Sequence, residues 1–448
     1  MARIAPFRAL MYDPHLVGDL AQVVTQPYDK ISDAMRERYY AANEYNLVRI
    51  ILGKSLPNDS EHTNVYTRGQ EYLNDWIASG VLKRIPKPAF FAYDQTYEVP
   101  GEPAVYRTRK GLIGLGHLED YSSGTVFPHE DTLSGPKEDR LRLLRATRTH
   151  FGQIFMLYSD PAHSVSAALQ PLRQEKPPLE ITDEYRVKHS LWPVEEASLI
   201  QSLQKVFAHK QLIIADGHHR YETTLNFRNE CRANMGTTGP DAPHEWVMMT
   251  FINLDDEGLT ILPTHRLVVN LPKFDMKEFI VRAQELFNLV GFKFFSQEEK
   301  HRKFEEFRRE LKWVGEVTPT LGLRAATTSN FYLMKLKATV NLQALLPELS
   351  EGQRKLDVII LHRLILEHCL GITVEDVRAE KYIRYVREME AGLEAVDQKK
   401  AQMCFLLNPT RIDQVRDIAL AGGRLPQKST DFYPKLLSGL TMYSLDAG

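Results

Sequence analysis

Between Gln211 and Arg232 the chain passes from an apolar block, Leu212-Ile-Ile-Ala215, through Asp216-Gly217-His218-His219-Arg220 into a charged, helical stretch. An apolar run of that length without alternation reads as a buried strand, and glycine followed by a helical pattern sets a sharp strand-to-helix turn. Such a junction is a physical design for holding an anion. The first turn of a helix has unpaired backbone N–H groups and a partial positive charge. Gly217 lets a ligand approach the main chain, and Arg220 carries a forked donor suited to phosphate. Asp216, Gly217, His218, His219 and Arg220 are therefore the candidate phosphate-binding residues. The plainer alternative is that Asp216 caps the helix and the histidines lie on its surface or in the core.

A second cluster, Phe127-Pro-His-Glu-Asp-Thr132, is followed by Lys137 and Arg140. Glu130 stands in a proline-bounded loop beside His129 and near basic residues, the setting of a tunable general base, although loops of this composition are also ordinary charged surface. Other patterns carry less. The glycines of Gly111-Leu-Ile-Gly114-Leu-Gly116 precede no Gly-Lys-Ser/Thr and lack Rossmann spacing, so they mark a bulge or close backbone approach in a strand. His362 and His368 are six apart and do not share a helix face as metal ligands would. No serine nucleophile elbow occurs, and Cys231 lies in a charged helix with no catalytic cysteine motif, so no metal or covalent site is expected.

The 448 residues imply two or three folding units. Residues 1–88 read as an N-terminal α/β region. In it Asp33 to Ala42 is a helix behind Ser32, Val48 to Gly53 a buried strand, and Tyr66 to Gly80 a helix. A proline-rich joint, Ile85-Pro-Lys-Pro88, opens a core over 89–272. Here Ala89 to Tyr97 and Val105 to His117 flank a turn, and Val247 to Asn253 and Leu259 to Leu262 resemble a strand pair. Residues 273–345 read as an α+β subdomain with helices over Phe274 to Leu289 and Gln297 to Leu311 and a hairpin over Thr320 to Leu336. Residues 346–448 read as mainly helical, strongest at Leu356 to Leu370.

With 56 Lys+Arg against 58 Asp+Glu and a net charge of -2, the chain has no basic field that would draw it to nucleic acid or anionic lipid. Three separated cysteines argue against a disulfide framework. The charges among the first eight residues interrupt any signal-peptide run, and no window approaches 18 apolar residues, so a cytoplasmic protein without membrane spans is expected.

The segments Pro6-Phe-Arg8, Pro27-Tyr28-Asp29, Tyr45-Asn-Leu-Val-Arg49, Pro128-His-Glu130, Asp139-Arg140-Leu141, Leu262-Pro-Thr-His-Arg266 and Ala215 to Glu222 resemble a bacterial and archaeal family of unassigned function, DUF1015. The resemblance runs nearly end to end. Gln26 stands where a second proline is expected, and Lys30 replaces a common apolar residue. More distantly, Asp-Gly-His-His-Arg looks like the phosphate-binding segment of the ParB and sulfiredoxin superfamily, which includes kinases of free serine.

That likeness implies an α+β fold, with a ParB/sulfiredoxin-like mixed core containing antiparallel strands and helical regions at both ends. It implies that Gly217, His218, His219 and Arg220 hold nucleotide phosphates and that Glu130, preceded by His129, matches the catalytic glutamate of the serine kinase. About 86 residues separate Glu130 from Asp216, so an insertion between them is implied. The activity expected is phosphoryl transfer from ATP or ADP, carried with Mg²⁺, to a small hydroxy compound, free L-serine in particular. Lys137, Arg140 and Arg266 are candidates for further phosphate contacts. The rivals are a nucleotide-binding regulatory module without catalysis and a phosphohydrolase. No helix-turn-helix follows the turn, so no nucleic-acid partner is expected, and the oligomeric state is not legible.

Overall fold

The computed structural model describes residues 2–131, 135–235 and 239–446. It is a mixed α/β structure whose contacts divide it into two compact units. The first unit comprises Met1–Pro128, Thr132–Thr260 and Phe432–Gly448, and the second His129–Asp131 with Ile261–Asp431. Among the described residues no helix is long and apolar enough to cross a membrane.

The first unit is built on a nine-stranded sheet. From one edge its strands are Val126–Pro128, Leu212–Asp216, Ile154–Tyr158, Trp246–Asn253, Tyr106–His117, Phe90–Glu98, Lys188–Val194 and Leu179–Thr182, with Ile4–Ala5 also on Tyr106–His117. Pairing is antiparallel except between Val126–Pro128 and Leu212–Asp216 and between Ile154–Tyr158 and Trp246–Asn253. Period-2 alternation sends Ile154, Met156 and Tyr158 to one face, where they form a core with Phe90, Leu112 and Phe251. Helices Ser164–Arg173 and Ala197–Phe207 cover it through Leu169, Leu203 and Phe207. The hairpin glycines make room for cross-strand side chains: a Cβ at Gly114 would enter the Phe90 ring, and one at Gly116 the Met249 thioether.

Helix His218–Met235 is rich in weak helix formers, among them His219, Thr223, Thr224, Asn226 and Asn229, so propensity alone would not sustain it. Burial does. Tyr221 and Leu225 join the sheet core, and the Tyr221 hydroxyl donates to the Glu119 carbonyl at 2.7 Å. Full burial of a side chain of this size contributes roughly 1.5–3 kcal/mol.

Two expectations for this unit are corrected. Val48–Ile51 is a short helix, not a strand: a four-residue stretch, Val-Arg-Ile-Ile, has no decisive period, and the Asn46 side chain accepts from the Val48 N–H at 2.9 Å, which starts a helical turn. Thr260–Leu262 does not pair with Trp246–Asn253, because both edges of that strand are taken by Tyr106–His117 and Ile154–Tyr158.

The second unit holds an antiparallel six-stranded sheet in the order Phe287–Lys293, Asn330–Leu336, Thr320–Ala325, Met403–Leu406, His265–Val268, Ile383–Val386. Helices cover both faces. Met276–Leu286 and the helical run Asp357–Ile360 and Leu361–Cys369 pack with Val268, Leu323 and Phe405, while Gln297–Gly315 and Met389–Asp397 pack with Leu267, Leu333 and Leu406. The helix expected to reach Leu289 ends at Leu286 and continues as a strand. Beyond residue 346 the chain adds strands to its helices, Ile383–Val386 and Met403–Leu406 among them; the latter is buried on both faces and shows no alternation in sequence.

Candidate functional site

The strand Leu212–Asp216 pairs with Ile154–Tyr158 through a register shift between Ile214 and Asp216, which ends the regular ladder. The chain then reverses at Gly217, whose φ of +90° is a conformation L side chains rarely adopt. A Cβ there would stand 3.0 Å from Nη2 of Arg220. The Tyr221 N–H donates to the Gly217 carbonyl at 2.9 Å, closing the first turn of the helix that starts at His218. Its N-terminal dipole therefore points at the turn.

Asp216 sits among cations. Nη2 of Arg220 donates to its Oδ2 at 3.2 Å, and Nζ of Lys435 stands 3.8 Å from its Oδ1. Burial alone would raise the pKa of this carboxyl, but Lys435, Arg220, Lys30 and His218 outweigh it and hold the group below the usual carboxylate range. Arg220 also donates from Nη1 to the Gln153 carbonyl, so its guanidinium braces the turn against the neighbouring strand.

Lys435 is delivered by a clamped segment. Arg109, almost wholly buried, donates from Nη1 to the Tyr433 carbonyl at 3.2 Å and from Nη2 to the Pro434 carbonyl, while Gln95 Nε2 donates to the Lys435 carbonyl at 2.9 Å. The Arg109 guanidinium lies 4.6 Å over the Phe155 ring. Burial pulls its pKa down to about 10, opposed by Tyr97, Tyr93 and Asp216. Lys30, Lys435, Arg109 and Arg220 thus all bear on the Asp216 carboxylate.

The other expected residues are placed as follows. His219 is partly exposed on the first helical turn. Lys137 pairs with Glu222. Arg140 pairs with Asp139, donates to the Ile51 carbonyl at 2.7 Å, and lies 4.3 Å over the Tyr28 ring. Arg140 and Arg220 line the same pocket in the first unit.

In the second unit His129, Glu130 and Arg266 come together. Oε1 of Glu130 accepts from the Thr430 N–H at 2.9 Å and from its hydroxyl at 2.8 Å. Because that hydroxyl proton is directed to Glu130, His129 Nε2, 2.7 Å from Thr430 Oγ1, takes the donor role and is the protonated ring nitrogen. His129 is fully buried, and its carbonyl accepts from the Leu425 N–H at 2.8 Å. Arg266 donates from Nη2 to the Lys428 carbonyl at 2.9 Å, and burial draws its pKa down to about 10, with Tyr385 and Glu130 opposing. Thr132, at the end of this loop in sequence, lies outside the described residues.

Lys30, Arg109, Lys435 and Thr430 were not among the residues singled out from sequence. The departure at Lys30 is a local signal; nothing local marks Arg109, Lys435 or Thr430. Among the described residues no three of His, Cys, Asp and Glu gather as a metal-binding group.

Comparison with solved structures finds a conserved hypothetical protein from Pyrococcus furiosus, at 10% identity and a TM-score of 0.32, covering 70% of this chain and 90% of that one. A free serine kinase variant in complex with ADP matches at 10% identity and 0.34, covering 70% and 89%. SbnI from Staphylococcus aureus, truncated at its C-terminus, matches at 10% and 0.32, covering 73% and 87%. No curated protein matches. Residues 4–398 match the family described as protein of unknown function, DUF1015, and the chain belongs to that family.

Proposed function

We propose that this protein is a nucleotide-dependent phosphotransferase, with the phosphates of ATP or ADP on the Gly217–Arg220 turn and Glu130 as the base that deprotonates a small hydroxy acceptor, free L-serine first among them. In this reading the core of the first unit is ParB/sulfiredoxin-like. The observation that carries the reading is the concentration of Lys30, Lys435, Arg109 and Arg220 around the carboxylate of Asp216, next to a helix N-terminus. Phosphoryl transfer asks for positioning and charge neutralisation, and such a centre supplies both. Mg²⁺ would arrive with the nucleotide and neutralise charge on its phosphates. At Glu130, the two bonds from Thr430 fix one carboxylate oxygen and thereby orient the other.

A regulatory nucleotide-binding module is the second reading. It is favoured by Arg220, whose guanidinium is engaged with Asp216 and Gln153 and so already serves the fold. Glu130→Gln separates the two: the phosphotransferase loses product formation while nucleotide affinity is kept, whereas a module has no turnover to lose.

A further inference from the structure

In the first unit Phe90, Ala92 and Leu112 point to the main apolar core, and the opposite face of the same strands carries a polar row. Tyr93 and Gln95 are two apart on Phe90–Glu98 and share that face. Gln95 stands opposite His189 on one neighbouring strand and opposite Arg109 on the other. All four are at most 1% exposed. Burying such groups is costly unless each is met by a partner, and apolar residues would cover the same area at lower cost. Three of the four end on the main chain of one short segment, 433–437. Arg109 donates to the Tyr433 and Pro434 carbonyls and Gln95 to the Lys435 carbonyl, while the Leu437 N–H donates to the Tyr93 hydroxyl oxygen.

Tyr93 is itself held from behind. Its hydroxyl lies 2.7 Å from His189 Nδ1, and His189 Nε2 lies 3.2 Å from Oδ2 of Asp183. A carboxylate only accepts, so Nε2 carries the ring proton, Nδ1 is bare, and the Tyr93 hydroxyl donates to it. Burial holds the His189 pKa below its ordinary value against the pull of Asp183, with Arg109 adding to burial, and burial raises that of Tyr93, so the ring is neutral and the hydroxyl keeps its proton. Asp183 is fixed in turn. Its Oδ1 accepts from the Tyr185 and Val187 N–H groups at 2.8 and 2.9 Å, and its Oδ2 also accepts from Gln26 Nε2 at 3.2 Å. Donation therefore runs unbroken from the Leu437 N–H through Tyr93 and His189 to Asp183.

Both ends of this chain lie beside residues that bear on Asp216. Leu437 is two residues after Lys435, and Gln26 is four before Lys30. The two segments are also joined directly, the Thr25 N–H donating to the Ser438 carbonyl at 3.1 Å and the Ser438 N–H to the Thr25 carbonyl at 2.9 Å. We infer that Tyr93, oriented by His189 and Asp183, is a positioning residue of the phosphate site, holding the 433–437 segment so that the Lys435 ammonium is in place before the anion arrives. The inference rests on the reading of the Gly217 turn as a phosphate site and adds the device that keeps one of its cations in position.

The test is a double-mutant cycle read by calorimetry of the full chain with pyrophosphate. Tyr93→Phe keeps the ring and removes the hydroxyl. It should weaken pyrophosphate binding about three- to tenfold, the cost of ordering one long side chain on binding. In a Lys435→Met background the same change should cost less than about twofold, because no ammonium is left to position. Equal losses in the two backgrounds, or no loss in either, overturn the inference and leave the phosphate site standing; a hydroxyl that serves the fold alone gives that result. Hydrogen exchange at the wild-type Leu437 amide needs no variant and decides the matter should Tyr93→Phe misfold. A ligand that needs the segment closed slows its opening in step with saturation, so pyrophosphate at about 100 times its dissociation constant should slow this exchange at least about tenfold. An unchanged rate overturns the inference. Should wild type not bind pyrophosphate at all, the phosphate site itself fails and the inference falls with it.

Discussion

The ammonium of Lys435 stands 3.8 Å from the carboxylate of Asp216, joining the last part of the chain to the turn at the start of helix His218–Met235. Its backbone is held by Gln95 and the preceding carbonyls by Arg109, so the charge is positioned and not simply nearby. Positioned charge acts on a phosphate without first ordering a long side chain.

Lys435→Met is therefore expected to weaken pyrophosphate binding by about ten- to a hundredfold, the value of one charge-assisted hydrogen bond in a sheltered site. Titration calorimetry against wild type reads it directly. Unchanged affinity would remove Lys435 from the anion site.

Gly217→Ala puts a Cβ 3.0–3.1 Å from the Arg220 guanidinium at a φ of +90°. A cost of about 1–3 kcal/mol in unfolding free energy is expected, together with loss of pyrophosphate binding as Arg220 shifts. Denaturant unfolding measures the first and calorimetry the second. A variant as stable as wild type would show that the turn tolerates a side chain.

The pH dependence of stability follows from two groups of opposite kind. Asp216 is held below its unfolded pKa of about 3.9, so its contribution is present above that value and is lost as the pH falls through the lower folded value. The stability advantage of wild type over Asp216→Asn should accordingly shrink below about pH 4. His150 is held down at about 4 against about 6.5 unfolded. The unfolded chain therefore binds more protons between those values, and stability falls as the pH drops through that window, by up to about 3 kcal/mol. His150→Phe should flatten the slope between about pH 6.5 and 4. Equal slopes in wild type and variant would contradict the buried, neutral imidazole.

Thr430 is expected to matter through its hydroxyl. Thr430→Val removes one bond to Glu130 and the acceptor of His129 Nε2, costing about 1–3 kcal/mol, whereas Thr430→Ser keeps both. Equilibrium unfolding of the two variants checks it, and equal stability of Val and Ser would show that the hydroxyl is idle.

What could be read from sequence follows from where information resides. The strand, turn and helix around Gly217 are legible because an apolar run, a glycine and a helical pattern are consecutive. The pairing of Thr320–Ala325 with Asn330–Leu336 is legible for the same local reason. Met403–Leu406 is not, since a strand covered on both faces has no period to distinguish it from a helix, and Val48–Ile51 fails the same test in the other direction. That Arg220 donates to the Gln153 carbonyl as well as to Asp216 is a tertiary contact that no local pattern announces. Lys435 and Thr430 acquire their partners only through tertiary contact, far along the chain from Asp216 and Glu130, and no local pattern announces that.

The most direct test of the account is to incubate the protein with Mg²⁺, ATP or ADP and a panel of small hydroxy compounds including L-serine, and to follow phosphorylated products by mass spectrometry. The account predicts a product that disappears in Glu130→Gln and in Arg220→Ala, with ADP still bound by Glu130→Gln. Absence of any product from wild type, with nucleotide bound, would contradict the phosphotransferase and leave a binding module in its place.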